Sequence, residues 1–456
     1  MSTDGTLLAM TGDSLLTRKL NWVADPGFSQ VRDLLSSCDA AFTNLEVSLP
    51  RRPISPGTAF HGTRVAANSG VLDALTSLGF NLFSLANNHA TDFGVRGLVD
   101  TISELQQRGI TYAGAGETLD QARRPQYLET RGGRVGLIAV TSSNARASAA
   151  ADAAGDDVGR PGVNPLRFTT TYRLDDIRFE SLNEIVTALG IPGASASAKK
   201  RTGLLPYPDR NLHIAERPKG SILLESALFE RGSEPLVEQR VIEEDLAAMD
   251  RWIHEARRQS DYVIVSVHCH EGPNNSWGTD QPPTFFQTAA RQFVDRGAHV
   301  VVGHGPHRLR PIEVYRGAII FYSLGNFLFT VESQTHMSRD IYEHLNVGQH
   351  ATPADVLDVR GVADDGSPQA YRAEPALWES VVVLCRMTGG ELAEARLHPI
   401  VLGIDRSRTR SGYPVVAPKP VARRILTELA RISAPFGTTI AIEESASDIV
   451  GSIKPH

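Results

Sequence analysis

Cysteine is scarce in this chain of 456 residues, and Cys38, Cys269 and Cys385 lie far apart. Three scattered thiols exclude a disulfide framework and a cysteine-rich zinc ribbon. Long hydrophobic stretches are missing too, since no segment reaches the roughly 18 uninterrupted apolar residues that a membrane-spanning helix needs. The opening residues MSTDGTLLAMTGDSLL lack the basic stretch and apolar run of a signal peptide. We therefore expect a cytoplasmic protein that does not act in a membrane.

An excess of positive charge is also absent. Lys and Arg together number 46 and Asp and Glu 52, for a formal net charge of −6. This balance argues against nucleic acid or an anionic membrane surface as a partner. The 41% share of hydrophobic residues and the 21% share of charged residues exclude a disordered chain and a coiled coil.

What the sequence does contain is an alternation of short apolar runs with amphipathic stretches. The predicted strands lie at residues 7–10, 40–44, 81–86, 135–140, 262–267, 299–302, 318–322 and 381–385. The predicted helices lie at residues 69–78, 97–107, 241–258 and 420–432. Strands separated by helices predict an α/β fold whose sheet is largely parallel or mixed and covered on both faces.

Polar side chains follow five of the predicted strands. They are Asp13, Asn44 with Glu46, Asn88 with His89 and Asp92, His268 with His270, and His304 with His307. Ligands of such sheets gather beyond the carboxyl ends of the strands, so we expect these side chains to converge in one cleft. Imidazoles, carboxylates and amide oxygens suit one divalent cation such as Ca²⁺, Mn²⁺ or Zn²⁺.

The segment 145–240 interrupts the alternation and is predicted to be an insertion that can act as a lid. Arg160 and Arg167 within it are candidates for binding a substrate carboxylate through two parallel hydrogen bonds. Trp277 follows the His268–His270 motif in a loop and is a candidate for the wall of a substrate pocket.

At this point the chain resembles a known family. The motifs that carry the resemblance are Gly12-Asp13, Asn44-Leu45-Glu46, Asn87-Asn88-His89 through Asp92 and Gly94, His268-Cys269-His270-Glu271, GHGPH at 303–307 and YSLGNF at 322–327. In this order they resemble the CapA family of poly-γ-glutamate capsule biosynthesis, part of the calcineurin-like metallophosphoesterase superfamily. The resemblance implies a four-layer α/β/β/α sandwich with a metal site at its strand ends. The resemblance extends from about Leu8 to Phe329, and we predict one domain over residues 1–415 followed by a helical C-terminal extension at 416–456.

The chain also departs from the pattern of that family. Ordinary metallophosphatases have Asp-x-His where this chain has Asp13-Ser14-Leu15, and the common GHHPH motif is GHGPH here, with Gly305 in place of a histidine. These departures weaken the case for a tightly held two-metal phosphatase centre and make a single metal an equal alternative. The chain resembles a soluble branch of the family, the cytoplasmic peptide epimerases from gene clusters for lasso peptides, which are of similar size. Lasso peptides are a class of ribosomally made and modified peptides.

Three functions remain open from the sequence. The first is a peptide epimerase that inverts an amino-acid α-carbon with two His/Asp pairs beside the cation, an isomerase acting on a peptide partner. The second is a metal-dependent hydrolase of phosphoesters or of γ-glutamyl and other amide bonds. The third is a non-catalytic accessory protein for poly-γ-glutamate synthesis.

The first function is the one that we favour, and it assigns three sets of residues. The acid/base set is Asp13, His89, Asp92 and His307. The metal ligands are Glu46, Asn88, His268, His270 and His304. The substrate-binding set is Asn44, Arg160, Arg167, Trp277 and Asn326.

Overall fold

Two sheets lie face to face, and helices cover the outer face of each. The computed structural model describes residues 5–20, 24–52, 55–57, 62–144, 146–191, 218–224, 227–348 and 350–455. The strands of these residues are β1 Thr6–Leu15, β2 Ala40–Leu45, β3 Leu82–Ser84, β4 Thr111–Ala113, β5 Ala115–Gly116, β6 Gln126–Thr130, β7 Gly133–Thr141, β8 Gly162–Val163, β9 Phe168–Leu174, β10 Ile222–Leu224, β11 Ala227–Arg231, β12 Leu236–Val241, β13 Tyr262–His268, β14 Val300–His304, β15 Ile312–Tyr315, β16 Ala318–Phe321, β17 Asn326–Phe329, β18 Glu379–Thr388, β19 Glu391–Val401, β20 Val415–Val416, β21 Ala441–Glu444 and β22 Ile449–Ile453. The α-helices are α1 Pro26–Ser36, α2 Gly70–Ser77, α3 Gly94–Gln107, α4 Leu119–Arg123, α5 Asp176–Ala188, α6 Glu243–Gln259, α7 Thr284–Asp295, α8 Arg339–His344, α9 Pro353–Gly361 and α10 Lys419–Ser433.

The first sheet has the order β21-β22-β19-β18-β1-β2-β3-β4, with β17 beside the end of β1 and β20 beside β19. The second sheet has the order β15-β16-β14-β13-β7-β6. Strands β1 to β4 are mutually parallel, as are β7, β13, β14 and β16. The carboxyl ends of these two parallel sets meet at one edge of the sandwich, which is where Asp13 and His304 come together.

Three hydrophobic cores separate the layers. The inner core holds side chains from both sheets, for example Met10 and Phe42 from the first and Ile264 and Val302 from the second. One outer core packs α1, α2 and α3 on the first sheet, and the other packs α6 and α7 on the second. This four-layer α/β/β/α arrangement confirms the predicted fold class.

A local break in β1 brings Asp13 into the site. The pairing of β1 shifts register before Asp13, and beyond it β17 runs alongside. The backbone of Gly325 approaches Gly12 so closely that a Cβ on Gly12 would lie 1.8 Å from the Gly325 carbonyl oxygen. Glycine at position 12 is therefore required, since any side chain would push the strand away.

The insertion forms a small sheet of its own, in the order β10-β11-β9-β12, with α5 packed on it. It leaves and rejoins the sandwich at one place, because Phe168 at the start of β9 pairs with Val241 at the end of β12. The sequence pattern of this segment did not predict these strands. The role of the insertion as a lid stays a prediction.

The segment 416–456 corrects the expectation of a purely helical extension. It contains α10, but β21 and β22 follow, and β22 pairs with β19 of the first sheet. Leu426 and Leu429 of α10 are buried in the inner core. The segment is continuous with the sandwich because it covers apolar surface that would otherwise be exposed.

Candidate metal centre

The predicted polar residues converge at the shared edge of the two sheets. Asp13, His268 and His304 are completely buried, and one ligand atom from each lies within 4.8 Å of the others. His268 and His304 end neighbouring strands β13 and β14 and lie directly opposite each other in register. The fold therefore brings together side chains that are up to 291 positions apart in the sequence.

Hydrogen bonds within the protein already occupy this first group. Asp13 Oδ1 accepts from Asn44 Nδ2 at 2.8 Å, and Asp13 Oδ2 accepts from the backbone N–H of Gly305 at 2.9 Å. His304 Nε2 is 2.7 Å from Ser266 Oγ, and the Nδ1 atoms of His268 and His304 are 2.9 Å apart. The first group is a closed network of hydrogen-bonded side chains.

A second group of potential ligands lies beside the first group, and its hydrogen bonding is less complete. Glu46, His270 and His307 also place ligand atoms within 4.8 Å of one another. Both carboxylate oxygens of Glu46 and Nε2 of His270 are buried without a hydrogen-bond partner among the described residues. Leaving buried polar atoms unpaired costs free energy, and a carboxylate costs the most. A divalent cation would satisfy all three atoms, and one carboxylate with two imidazoles is a donor set that suits Zn²⁺ or Mn²⁺.

The electrostatics of the cluster agree with a cation at the second group. Burial raises the pKa of Glu46 well above its ordinary value, and the nearby Asp13 carboxylate raises it further. Burial lowers the pKa of His268 and of His270, so both imidazoles are neutral at neutral pH and able to bind a metal. Burial alone would raise the pKa of Asp13, but hydrogen bonds from His304 and His307 lower it well below its ordinary value.

Two histidines in the cluster each have a carboxylate partner. His89 Nδ1 is 2.7 Å from Asp92 Oδ2, and the same oxygen accepts from the backbone N–H of Val65. His307 Nδ1 is 3.3 Å from Asp13 Oδ2 and 2.9 Å from Asn326 Oδ1. The sequence hypothesis of two such pairs, His89 with Asp92 and a histidine of the GHGPH motif with Asp13, thus matches distances in the structure. Their catalytic role stays a prediction.

Both histidines also lie beside Glu46. His89 Nε2 is 3.8 Å from Glu46 Oε1, and His307 belongs to the same group of potential ligands as Glu46. His307 has a φ of 60°, a left-handed conformation that is unfavourable for a residue with a side chain. Residues held in such conformations cluster at active sites, where the surrounding structure fixes a side chain in one place.

Three residues of the predicted substrate-binding set have other partners. Asn44 is buried, its Nδ2 donates to Asp13 and its Oδ1 accepts from Asn87. Asn326 is also buried and holds the ring of His307. These two amides orient site residues and have no free atom directed to a substrate, so their assignment to substrate binding is corrected.

Arg167 is the third correction. Its guanidinium donates to both oxygens of the buried carboxylate of Asp245, at 2.7 Å each. This ion pair fixes the chain directly before β9. It also leaves Arg167 unable to bind a substrate carboxylate through paired hydrogen bonds. Arg160 is exposed and keeps the assignment as a prediction, with only its Nε donating to the carbonyl of Ala149.

Trp277 and Asn88 both contact histidines of the cluster, and their roles as pocket wall and metal ligand stay predictions. The ring of Trp277 stacks on His270 with 4.6 Å between the ring centroids, and 63% of the residue is exposed. Asn88 Oδ1 is 2.9 Å from His268 Nε2, at the edge of the first group. The ring of Trp277 thus lies at the open side of the centre.

Sequence reasoning missed the residues that hold His270. Ser143 Oγ accepts from the backbone N–H of His270 at 2.7 Å and donates to Glu271 Oε2, which Ser142 also contacts. Their position in the sequence could have identified them, because Ser142 and Ser143 directly follow β7 and so occupy a strand end like the other site residues. Arg310 was also missed; its buried guanidinium donates to backbone carbonyls of the loop that carries His270.

The four-layer sandwich with a buried His/Asp/Glu centre at its strand ends defines a calcineurin-like, metallophosphoesterase-type domain. Comparison of sequences then gives the family. Residues 7–331 match the model of the bacterial capsule synthesis protein family PGA_cap, and the chain belongs to this family. The described residues contain no helix that is both long and apolar enough to cross a membrane.

Similar proteins fall into two sets. Two uncharacterized proteins of Sinorhizobium fredii, y4sH and y4uA, are each 35% identical to this chain over 453 residues, which is 97% of this chain and 92% of theirs. The PGA biosynthesis protein CapA of Bacillus subtilis is 25% identical over 333 residues, which is 70% of this chain and 62% of that protein. A probable polyglutamine synthesis accessory protein of Mycobacterium tuberculosis is 27% identical over 256 residues, which is 56% of this chain and 46% of that protein.

Proposed function

We propose that this chain is a metal-dependent acid/base enzyme that inverts an α-carbon in a peptide, that is, a peptide epimerase. One observation carries the proposal: two histidines, each paired with a carboxylate, flank the unpartnered carboxylate of Glu46. Inversion needs a base on one face of the α-carbon and an acid on the other, and two such imidazoles supply both.

The proposed roles follow from the contacts of each side chain. Asp92 fixes the ring of His89 through Nδ1 and leaves Nε2 free to take or give a proton. Asp13 and Asn326 do the same for His307. Glu46 and His270 would hold the cation, and His307, the third member of that group, would stay unliganded so that its Nε2 can exchange a proton. A bound divalent cation supplies positive charge that stabilises negative charge on the carbonyl next to the reacting carbon.

The peptide as substrate class comes from the relatives. The names of CapA from Bacillus subtilis and of the Mycobacterium tuberculosis protein refer to synthesis of PGA and of polyglutamine. The resemblance to lasso peptide epimerases narrows the proposed substrate to a ribosomally made peptide. The exposed ring of Trp277 beside His270 offers a surface on which a peptide side chain can pack.

The test is hydrogen exchange at the α-carbon. The protein is incubated with Mn²⁺, Zn²⁺ or Ca²⁺ and a panel of synthetic peptides in deuterated water, and mass and chirality of each residue are then measured. We expect a gain of one dalton without cleavage, and D-amino acid at the exchanged position. Chelation should abolish the exchange.

Two variants sharpen this test. His89→Gln and His307→Gln should each block proton removal from one of the two enantiomeric peptides while retaining part of the exchange of the other. His254→Gln, which changes an exposed histidine on α6, is the matched control and should behave as wild type. Equal loss for both enantiomers in both variants would contradict the two-base mechanism.

A metal-dependent hydrolase is the second candidate. The specific observation in its favour is the pair of adjacent three-residue groups, because two neighbouring cations are a common arrangement in phosphoester hydrolysis. Release of phosphate from p-nitrophenyl phosphate, or of shorter peptide fragments, would support it. Peptide binding without exchange or cleavage would instead favour an accessory role in polymer synthesis.

A further inference from the structure

A cavity of about 360 Å³ opens beside the candidate metal centre, and neither the acid/base pairs nor the metal ligands line it. Its walls come from the loop that follows β7, from the start of the insertion and from the 3₁₀-helix Arg146–Ser148. The volume lies at the lower end of the range for ligand pockets, about 300–1,000 Å³, which suits a small group or part of a peptide. We name it the arginine cavity, after Arg146 and Arg160 in its wall.

Hydrogen bonds connect the wall of the arginine cavity to the loop that carries His270 and to the loop that carries His89. Ser142 of the wall donates to Glu271, which also accepts from Ser143, the residue that holds the backbone of His270. On the other side, Ser148 Oγ is 2.6 Å from Thr91 Oγ1. Thr91 lies in the loop that carries the His89–Asp92 pair. A peptide at the metal centre therefore has the cavity directly beside it.

The third arginine of the wall, Arg167, is already neutralised in part. Arg123 and Arg167 share the buried carboxylate of Asp245. Asp152 accepts a hydrogen bond from the backbone N–H of Asp120, and its charge acts on Arg123.

Arg146 and Arg160 remain as the cations available to a ligand. Arg160 uses only Nε, toward the carbonyl of Ala149, and both of its terminal nitrogens are free for a ligand. Among the described residues, neither Arg146 nor Arg160 has a carboxylate at ion-pair distance. The wall of the cavity thus holds three arginines and one aspartate, an excess of positive charge in a chain whose net charge is −6.

We propose that the arginine cavity binds a carboxylate of the peptide substrate through Arg146 and Arg160. This inference rests on the proposed function for its ligand class, and it deepens that function by selecting peptides with a carboxylate close to the reacting residue. Two arginines bind a carboxylate through charge-assisted and, in favourable geometry, paired hydrogen bonds. A carboxylate in the cavity would also anchor the peptide against the α-carbon that is to be inverted.

Calorimetric titration of the Mn²⁺-loaded protein tests the proposal with three N-acetylated probes. They are tetra-alanine with a free C-terminus, its C-terminal amide, and the amide of Ala-Ala-Glu-Ala. We expect the amide of tetra-alanine to bind at least about tenfold more weakly than one of the two carboxylate peptides, which corresponds to about 1.4 kcal/mol. The carboxylate peptide that binds more tightly shows whether the cavity prefers a C-terminal or a side-chain carboxylate.

The double variant Arg146→Gln/Arg160→Gln should remove this preference and leave the affinity for Mn²⁺ unchanged. Arg386→Gln is the matched control, since Arg386 is exposed at the opposite end of β1, paired with Leu7. Equal affinity of wild type for all three peptides, no binding of any of them, or an unchanged preference in the double variant would overturn the inference. So would inorganic phosphate displacing the carboxylate peptide at the same concentration, which would indicate a phosphate site.

Failure here is distinguishable from failure of the proposed function. Carboxylate-selective binding without α-carbon exchange would overturn the epimerase proposal alone. Exchange that is insensitive to the double variant would overturn only the role of the arginine cavity.

Discussion

At the scale of single residues, Glu46 links metal binding to stability. Burial and the charge of Asp13 raise its pKa, so the folded protein without metal holds this proton to a higher pH than the unfolded chain does. The unfolding free energy of the metal-free protein therefore falls as the pH rises from the ordinary pKa of a glutamate to the raised one. A cation would compensate the buried charge.

We predict that Glu46→Gln has opposite effects in the two states. Without metal, the variant should be more stable than wild type at neutral pH by about 1 kcal/mol or more, because no charge is buried. With Mn²⁺, it should lose the stabilisation that the ion gives wild type, with affinity reduced at least about tenfold. Thermal unfolding in EDTA and in Mn²⁺ measures both.

Glu313→Gln is the matched control for that prediction. Glu313 is buried as well, but its carboxylate accepts from Arg291 and from the hydroxyl of Tyr322. This variant should lose stability with and without Mn²⁺ to the same extent. A destabilised Glu46→Gln protein in EDTA would contradict an unpaired carboxylate at the centre.

His299, which lies outside the centre, gives a second pH dependence. Burial, helped by the charge of Arg257, lowers its pKa to about 4, and its Nδ1 accepts from the backbone N–H of Val263 at 2.9 Å. Between its ordinary pKa of about 6.5 and the folded value, the unfolded chain binds more protons. Stability is therefore lost as the pH falls through this window, by about 3 kcal/mol in total.

We predict that His299→Gln reduces this loss. Urea unfolding at several pH values between 7.5 and 4.5 should give a smaller decrease in free energy for the variant than for wild type. His254→Gln, with its exposed side chain, should leave the decrease unchanged. An identical pH profile for His299→Gln and wild type would show that another group is responsible.

At the scale of elements, the loop after β13 depends on Arg310. The side chain is 0% exposed, and its guanidinium donates to the carbonyls of Cys269, His270, Glu271 and Thr279. This loop carries His270 and Trp277 and has one antiparallel bridge of its own, between Glu271 and Trp277, so the arginine adds most of the remaining contacts that hold its carbonyls. Burial lowers the pKa of Arg310, which remains charged because an arginine pKa begins so high.

We predict that Arg310→Lys opens this loop without unfolding the sandwich. A lysine ammonium has three donors in a compact group and cannot reach carbonyls spread across the loop. Hydrogen exchange of the amides of Gly272 and Gly278 should become at least about tenfold faster, while amides of β13 keep their protection. The matched control is Arg308→Lys, because Arg308 contacts the loop only through the carbonyl of Gly278. Uniform acceleration across the protein would indicate global destabilisation instead.

The same scale shows what the sequence could predict. The eight predicted strands all exist, because each is a continuous apolar run buried on both faces. β4 was missed because Thr111 and Tyr112 are only half-buried, so the strand carries no apolar run. β17 was missed as well. β17 is placed by the turn at Gly325, whose φ of 68° no local periodicity reveals. The small sheet of the insertion was missed because its strands are only half-buried.

At the scale of the whole molecule, the sequence predicts that the strand ends converge. It does not predict which of the converging side chains are available to a ligand and which orient other side chains. Topology alone places Asp13, His268 and His304 together, because parallel strands end at one edge. Which polar atoms remain unpaired depends on distances between side chains far apart in the chain. Asn44 and Asn326 illustrate this, since their amides serve Asp13 and His307 and not a substrate.

The last prediction concerns the insertion as a separable part of the molecule. Its small core is formed by Phe179, Val186 and Ile222, none of which belongs to the three cores of the sandwich. Phe168 and Val241, where the chain leaves and returns, are paired neighbours, and the ring of Phe168 stacks on Phe285 of α7. An Asn-Gly turn can join such a pair directly.

We predict that replacing residues 169–240 with Asn-Gly leaves a folded sandwich. Unfolding should remain cooperative and the affinity for Mn²⁺ should stay within about threefold of wild type, since the centre draws no side chain from the deleted part. If the insertion is a lid, bound peptide should dissociate at least about tenfold faster, because a lid slows release. Stopped-flow displacement of a fluorescent peptide measures this rate. Unchanged dissociation with an intact centre would contradict the lid, whereas loss of cooperative unfolding would mean that the sandwich needs the insertion to fold.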